Sequence, residues 1–393
     1  MRLSQIVTLA LTPLVLGLNV PGRVQTFLTS DSPLDDSSSQ LTDYIVDKRF
    51  SLLQLHRRLV STESISDNEL SVSKWLLKYL EDAGLTVETQ QVLDDPKNYN
   101  VYAYLGKKRD CSLLLTSHID TVPPYIPYHV KGTEIHGRGT CDAKGSVATQ
   151  IIAFLDLVKR GDLKEGDVAL LFVVGEETKG FGMRKALESL GASWDAAIFG
   201  EPTENKLGVG HKGILVFQVI VEGKASHSGY PELGISATEI LIPILSKLQQ
   251  LDLPKSDLLG PSTLNIGQIE AGVAFNVVPA YAKASIAIRV AADAEKTIKL
   301  IKGAVEGVEH VKSPEIYCTE PQYLDYEVPG FESIILAYTT DIPNLTIPLK
   351  QRYLYGPGSI HVAHGDDEFV ENQDLLDAVD GYKKLIEYVL DKQ

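Results

Sequence analysis

The sequence predicts an α/β fold: a mixed, largely parallel sheet with helices on both faces, into which a second, smaller domain is inserted. The main observation is a set of three runs of strand length that are apolar at consecutive positions, as strands covered on both faces are: SLLLTSHID, DVALLFVVGEE and WDAAIFGEP. Helix-like segments separate these runs, and the pattern changes between about residues 212 and 321. A chain of 393 residues is also too long for one compact core.

The N-terminal 20 residues predict a secretory signal peptide. The segment MRLSQIVTLALTPLVLGLNV has one early arginine and an apolar core that Pro13 interrupts, too short for a good membrane span. Residues 21–45 are polar and rich in serine and aspartate, which is typical of a flexible leader. We therefore expect a secreted protein, or one of the vacuole or another secretory compartment, with no membrane segment in its mature form. An uncleaved anchor or a disordered tail is the alternative.

The large domain is predicted in two parts, residues 46–211 and 322–393. Leu52, Leu55 and Leu59 keep helical spacing near its start. The three apolar strands and their intervening helices follow. A last helix carries an apolar face near the end of the chain: Leu375, Leu376, Val379, Tyr382, Leu385 and Ile386.

The inserted domain, residues 212–321, has its own order of elements. Strand patterns are GILVFQVIVEG, STLNIGQIEAG, YAKASIAIRV and HVKSPEIYC, and helix patterns are ISATEILIPILSKLQQL and DAEKTIKLIKGAVEG. Their order along the chain is βαββαβ, the arrangement of ferredoxin-like domains. Pro243 lies inside the first of these helices, where proline is expected to kink or break it.

Composition limits the class of partner. Asp and Glu number 52 against 37 Lys and Arg, so the formal net charge is −15. Such a charge repels nucleic acid and anionic membranes, and we expect neither as a partner. Three cysteines, Cys111, Cys141 and Cys318, are too few for a disulfide framework.

Ionisable side chains follow all three apolar strands at the point where each ends. They are His118 and Asp120, Glu176 and Glu177, and Glu201. The carboxyl ends of parallel strands are where α/β sheets place ligands. Because like charges at one edge would repel one another, a cation is the simplest explanation of this pattern. The sequence therefore predicts a metal site.

Two glycine-rich segments offer further ligands. In HGRGTCDAKG the glycines allow a sharp bend that presents Asp142 ahead of a helix, and a carboxylate there is able to bridge two cations. In YGPGSIHVAHGDDEFV the spacing alone allows either His361 or His364 to complete the metal site. We interpret Cys141, beside Asp142, as a small packed residue rather than a ligand. One of the adjacent residues Glu176 and Glu177 is able to bind metal while the other acts as a general base.

Seven motifs in order give the sequence a family resemblance: SHIDTV, GRGTCDAKG, GEE, FGEPT, KASHSG, FNVVP and AHGDDEF. From about residue 48 to the C-terminus the chain resembles the M20 family of zinc metallopeptidases and deacylases. The resemblance implies a zinc-exopeptidase-like catalytic domain with the small domain inserted in it. It specifies the family much more closely than the substrate.

The resemblance also implies a site with two Zn²⁺ ions per subunit, for which Co²⁺ or Mn²⁺ are conceivable substitutes. His118, Asp142 and Glu201 surround one ion, and Asp142, Glu177 and His364 the other. Asp120 orients His118, and Glu176 is the general base. A hydroxide shared by the ions then attacks the substrate amide.

The same resemblance assigns residues to the substrate. His227 holds the oxyanion, reaching the site from the partner in a homodimer formed by the inserted domain. Asn276 is expected to bind a carbonyl and Arg289 a terminal carboxylate. The backbone N–H groups of Gly356 and Gly358 are expected to help bind that carboxylate, although a tight loop beside a metal ligand needs glycine for steric reasons alone.

We expect a carboxypeptidase that acts on a peptide bearing a free α-carboxylate. The alternative within the family is a deacylase whose substrate is an N-acyl amino acid. A non-catalytic binding protein would lack a ligand or the base, and none is missing here. The sequence also holds one glycosylation sequon, at Asn344, which supports the expectation of secretion.

Overall fold

A computed structural model describes residues 48–93 and 98–391 of the chain. The expected signal peptide and the leader lie outside these residues. In the described residues the helices are α1 (Lys48–Ser61), α2 (Leu70–Asp82), α3 (Lys144–Arg160), α4 (Phe181–Ser189), α5 (Ala237–Gln249), α6 (Ala294–Val305) and α7 (Asn372–Asp391). None of these described helices combines the length and the apolar character that crossing a lipid bilayer requires.

The strands of the same residues form several sheets. In chain order they are β1 (Thr86–Gln91), β2 (Tyr99–Tyr104), β3 (Leu113–His118), β4 (His129–Lys131), β5 (Glu134–His136), β6 (Val168–Val173), β7 (Ala196–Phe199), β8 (Leu207–His211), β9 (Gly213–Glu222), β10 (Lys255–Ser256), β11 (Gly260–Pro261), β12 (Thr263–Ala271), β13 (Tyr281–Val290), β14 (Ile316–Cys318), β15 (Gln322–Tyr323), β16 (Ser333–Leu336), β17 (Gln351–Leu354) and β18 (Phe369–Glu371).

The central sheet is mixed and largely parallel, in the order β1-β2-β6-β3-β7-β17. Strands β6, β3, β7 and β17 run parallel, whereas β1 and β2 are antiparallel to their neighbours. Two three-stranded sheets have the orders β15-β8-β16 and β18-β5-β4.

Successive residues of the central strands enter two different hydrophobic cores, which explains their continuous apolar runs. In β3, Leu113 and Leu115 pack with helices α1, α2, α3 and α7, whereas Leu114 packs on the opposite side with residues of α4. Both faces of the sheet are therefore covered, as the sequence predicts.

The inserted domain has a sheet of its own, in the order β12-β13-β9-β14, with every neighbouring pair antiparallel. Helices α5 and α6 cover one face, where alternate residues of β9 and β13 are buried. Helix α5 continues through Pro243, so the expected break there is wrong. Pro243 is exposed, and a stripe of buried residues on both sides of it holds the helix to the sheet: Ala237, Leu241, Ile244, Leu245 and Leu248.

The chain enters and leaves the inserted domain at adjacent positions. Ile214 N–H donates to Thr319 Oγ1 at 3.0 Å, and Thr319 N–H donates to the carbonyl of Ile214 at 2.8 Å. A Cβ on Gly213 would lie 2.1 Å from the Thr319 carbonyl oxygen, so only glycine allows this approach.

Candidate metal centre and cleft

The register of the parallel strands brings three strand ends to one edge of the central sheet. His118, the last residue of β3, lies opposite Val173 of β6, and Thr116 lies opposite Phe199 of β7. Glu176 and Glu177 follow β6, and Glu201 follows β7. The strand-end residues that the sequence singles out therefore meet at the carboxyl edge of the sheet.

Asp142 lies between two histidines. Its Oδ1 is 3.1 Å from His118 Nε2 and its Oδ2 is 3.2 Å from His364 Nε2. Glu201 Oε2 lies 3.8 Å from His118 Nε2, on the first side, and Glu177 Oε2 lies 3.1 Å from His364 Nε2, on the second. Two half-sites thus share one buried aspartate.

His361 and His364, between which the sequence spacing did not decide, lie at different distances from Asp142. His361 is exposed, and its described hydrogen bond runs from its backbone N–H to Ser359 Oγ at 3.4 Å. The contacts to Asp142 and Glu177 come from His364. Cys141 is buried, and its thiol lies 3.7 Å from the carbonyl of Ser359 and from Glu368 Oε1.

The electrostatics of this group favour a bound cation. Burial, reinforced by neighbouring carboxylates, raises the pKa values of Glu177 and Glu201 to about 7 and that of Glu176 well above its usual range. Burial also acts to raise the pKa of Asp142, but hydrogen bonds from His118 and His364 hold it well below its usual value. A positive charge beside these carboxylates favours their ionised forms.

The donor set fits a divalent metal such as zinc. Ligand atoms of His118, Asp142 and Glu177 all lie within 4.8 Å of one another. Imidazole nitrogen and carboxylate oxygen are ordinary zinc ligands in hydrolytic sites. The type and spacing of these ligand atoms are therefore suited to a divalent metal cofactor.

Asp120 holds two parts of the site together. The closest acceptor to His118 Nδ1 is the Asp120 carbonyl, at 3.0 Å, whereas the carboxylate Oδ1 is 3.5 Å away. The carboxylate instead accepts the backbone N–H groups of Glu176 and Glu177, each at 3.1 Å, and the Ser66 hydroxyl at 2.8 Å. His118 Nδ1 therefore faces both the carbonyl and the carboxylate of Asp120, and the carboxylate also fixes the Glu176–Glu177 turn.

A buried ion pair that the sequence reasoning did not single out lies between the loops that carry Asp142 and His364. Arg138 and Glu368 lie in the motifs GRGTCDAKG and AHGDDEF, and that placement was the available sequence signal. Both side chains are almost fully buried. Glu368 Oε1 accepts the backbone N–H groups of Cys141 and Asp142, each at 3.3 Å.

A cavity of about 790 Å³ opens over the cluster around Asp142, between the large and inserted domains. Asp142, Glu176, Glu177, Glu201 and His364 lie at one end of it. The inserted domain contributes Ile214, Val216, Arg289, Tyr317 and Thr319 from the sheet face that its helices leave open. Arg289 Nη1 donates to Thr339 Oγ1 of the opposite wall at 3.0 Å.

Two of the expected substrate residues lie outside the residues that line this cavity. His227 is exposed on the inserted domain, where Gly229 N–H donates to its Nδ1 at 3.0 Å. Asn276 lies beside it, since the Asn276 carbonyl accepts the Ser228 N–H at 3.0 Å. The chain therefore brings His227 and Asn276 to each other but does not place them among the residues that line the cavity beside Asp142.

Gly356 and Gly358 both make close contacts within the protein. Gly356 N–H already donates to Thr203 Oγ1 at 3.0 Å, and its contact with a substrate carboxylate stays a prediction. Gly358 has φ +77°, and a Cβ there would lie 2.6 Å from Cys141 Cβ. The positive φ and the close approach to Cys141 are enough to explain why glycine occupies position 358.

Asn344 lies on the cavity wall. Its amide Nδ2 donates to Asp341 Oδ1 at 2.7 Å. Because a glycan would be attached to this same nitrogen, the expected modification at Asn344 would have to replace the hydrogen bond to Asp341.

Comparison with known proteins identifies relatives over most of the chain. A family model described as a peptidase dimerisation domain matches residues 209–311. A peptidase M20 domain-containing protein of Schizosaccharomyces pombe is 51% identical over 91% of this chain and 90% of its own length. A probable carboxypeptidase of Aspergillus oryzae is 43% identical, covering 91% of this chain and 95% of its own.

Solved structures share the fold at low sequence identity. A tripeptidase of Staphylococcus aureus superposes with a TM-score of 0.72 at 21% identity, covering 87% of this chain and 99% of its own. An M20 family metallo-carboxypeptidase of Sulfolobus solfataricus gives a TM-score of 0.70 at 17% identity, covering 86% and 99%. The predicted α/β fold class is confirmed.

Proposed function

The chain belongs to the M20 peptidase family and is a peptidase, and on that premise we propose that it is a two-zinc carboxypeptidase that removes the C-terminal residue of a peptide. The observation that carries this proposal is the position of Asp142, with one oxygen 3.1 Å from His118 Nε2 and the other 3.2 Å from His364 Nε2. A carboxylate placed between two imidazoles is suited to bridge two cations.

Five residues would hold the ions. His118 and Glu201 would bind one, His364 and Glu177 the other, and Asp142 both. When bound, the zinc ions supply Lewis acidity that activates a water molecule and polarises the scissile carbonyl. Cobalt or manganese are accepted by similar ligand sets, so the metal in the cell is a separate question from the mechanism.

Glu176 is suited to act as the general base. It lines the cavity beside the ligands, and the Asp120 carboxylate fixes its backbone through a 3.1 Å hydrogen bond. Among the described residues no hydrogen bond or ion pair to its carboxylate is found, which leaves both oxygens available to a water molecule. Glu176 would take the proton of the attacking water and transfer it to the leaving amine.

Arg289 supports the choice of a carboxypeptidase. Its guanidinium lines the same cavity from the opposite domain, and the described hydrogen bond, to Thr339, uses one of its five N–H groups. A guanidinium binds a carboxylate with two parallel hydrogen bonds. The free α-carboxylate at a peptide C-terminus is the matching group.

His227 would complete the site only from a second copy of the chain. The match of residues 209–311 to a dimerisation domain supports a homodimer, and the exposed position of His227 leaves it accessible to another subunit. There its imidazole would donate a hydrogen bond to the oxyanion. Mixing two inactive variants, Glu176→Gln and His227→Ala, tests this arrangement, because mixed dimers would regain one intact site.

The function itself is tested with three matched substrate sets and zinc-loaded protein. These are N-blocked dipeptides with a free C-terminus, the same dipeptides as C-terminal amides, and N-acetyl amino acids. We expect hydrolysis of the first set alone, lost in Glu176→Gln. Hydrolysis confined to N-acetyl amino acids would identify a deacylase instead, and zinc-independent turnover that persists in Glu176→Gln would overturn the mechanism.

A further inference from the structure

Two cationic side chains lie in the cavity wall next to the acidic metal-ligand cluster. Lys179 and Arg184 flank the start of helix α4, a few residues after Glu177, and both line the cavity. The chain has more acidic than basic residues, with a formal net charge of −15, so a surface cation is expected to find a carboxylate partner. If no carboxylate of the protein pairs with Lys179 and Arg184, the two side chains are available to bind an anionic ligand.

The ring of Phe181 holds both cations close to each other. Arg184 Cζ lies 5.1 Å from the ring centroid and Lys179 Nζ lies 5.8 Å from it, both within the range of a cation–π contact. Phe181 also lines the cavity. Two like charges held at one aromatic ring repel each other, and an anion placed between them would offset that repulsion.

Neither cation has a carboxylate partner within 4.0 Å among the residues that the structure describes. Arg184 donates instead to backbone carbonyls of its own turn, those of Gly180, at 3.3 Å, and Lys179. Asp341 interacts electrostatically with Arg184. Its Oδ1, however, accepts the Asn344 amide at 2.7 Å, and the residue is 5% exposed.

We propose that Lys179 and Arg184 form an anion subsite for a second carboxylate of the substrate, so that the enzyme prefers peptides with glutamate or aspartate next to the scissile bond. This proposal rests on the proposed carboxypeptidase function, in which Arg289 holds the α-carboxylate from the other wall. A substrate with two carboxylates then contacts both domains across the cavity. The subsite selects the side chain, whereas Arg289 selects the chain end.

The test compares isosteric substrates that differ in one charge. N-blocked dipeptides with a free C-terminus carry Glu or Gln at either of the two positions, with Ala at the other. We expect kcat/KM for Glu to exceed that for Gln by about tenfold at one position, because a charge-assisted hydrogen bond in a cleft is worth about a factor of ten. In Arg184→Gln and Lys179→Gln that ratio falls towards one.

Lys185→Gln is the matched control. Lys185 is on the same helix, one residue beyond Arg184, but it is not among the residues that line the cavity. Its ratio of Glu to Gln activity should equal that of the unaltered protein. Melting temperatures of all variants show whether they are folded. A ratio at or below one at both positions in the unaltered protein would overturn the subsite, as would a ratio that both variants leave intact.

A binding measurement separates failure of the subsite from failure of the proposed function. Isothermal titration of the zinc-loaded protein with glutarate and with butyrate compares two carboxylates with one and needs no turnover. We expect glutarate to bind about tenfold more tightly, and Arg184→Gln to remove the difference. If no dipeptide is hydrolysed but this difference is found and lost in the variant, the carboxypeptidase is wrong and the anion subsite stands. Equal binding of the two acids would overturn the subsite.

Discussion

Arg138 Nη1 lies 2.8 Å from Glu368 Oε2 in an ion pair that is almost fully withdrawn from solvent. The guanidinium also donates to the carbonyls of Gly365, at 3.0 Å, and His364, at 3.4 Å, while Glu368 accepts the backbone N–H of Asp142. One pair of side chains thus positions the loops of two proposed metal ligands that are far apart in sequence.

We predict that Glu368→Gln weakens zinc binding about 10- to 100-fold, because the loops that present Asp142 and His364 lose their common support. Removing one partner of a buried pair also lowers the free energy of unfolding, by about 3–5 kcal/mol. Competition titration with a zinc chelator and urea denaturation measure the two effects.

Glu387→Gln is the control for this variant, since Arg160 and Glu387 form an ion pair of the same 2.8 Å length with both side chains about half exposed. An exposed pair contributes at most about 1 kcal/mol, and no change in zinc affinity is expected. Equal zinc affinity in Glu368→Gln and Glu387→Gln would show that the buried pair does not position the ligands.

The adjacent residues Glu176 and Glu177 should respond differently to the same substitution. We predict that Glu176→Gln lowers kcat about 10²- to 10⁴-fold with the metal content unchanged, because only the proton acceptor is lost. Glu177→Gln should lose bound zinc as well as activity. Metal analysis of dialysed protein beside steady-state kinetics distinguishes them, and metal loss in both variants would argue against the division of roles.

Metal removal should destabilise the fold. The buried carboxylates at the sheet edge repel one another when no cation offsets their charge, so we predict a lower melting temperature in the presence of a strong chelator. Zinc at 100 times its dissociation constant should restore about 2.7 kcal/mol. Calorimetry with and without chelator measures the difference. An unchanged melting temperature would mean that these carboxylates need no cation.

The buried His211 should make stability depend on pH. Its Nδ1 donates to the Lys212 carbonyl at 2.9 Å, and its Nε2 accepts the Thr340 hydroxyl at 3.0 Å. Burial lowers the pKa of His211 to about 4. The unfolded chain therefore binds more protons between pH 6.5 and 4, and the contribution of neutral His211, present above pH 6.5, is lost as the pH falls through this range.

We predict that His211→Asn destabilises the protein at pH 7 and that this deficit shrinks by up to about 3 kcal/mol as the pH approaches 4. Urea denaturation of both proteins across this range measures it, and other titrating groups cancel in the difference. A deficit in His211→Asn that does not vary with pH would contradict the assignment.

The sequence predicted the strand-end residues well because their convergence follows from a local pattern. His118 ends a strand that is apolar on both faces, Glu177 and Glu201 follow two others, and parallel strands in one sheet end at one edge. Nothing further was needed to expect a cluster. The same reasoning predicted the order of elements in the inserted domain.

The remaining features depend on contacts between distant residues. The hydrogen bond from the Gly356 N–H to Thr203, 153 residues away, had no signal in the local sequence. Arg138 and Glu368 are 230 residues apart, and neither suggests a partner by its own surroundings in the sequence. Pro243 was misjudged for another reason, since the packing of α5 on the sheet of the inserted domain outweighs the local effect of one proline.

The hydrogen-bonded pair of Ile214 and Thr319 closes the base of the inserted domain. Because the chain departs and returns at one point, the polypeptide between these residues could be lengthened, exchanged or removed while the catalytic domain kept the same path. All five proposed metal ligands lie outside that stretch, and only Arg289, Asn276 and His227 lie within it. Substitutions in this one segment would therefore alter substrate binding, self-association and the oxyanion contact of His227, whereas the five proposed metal ligands and Glu176 all lie outside it.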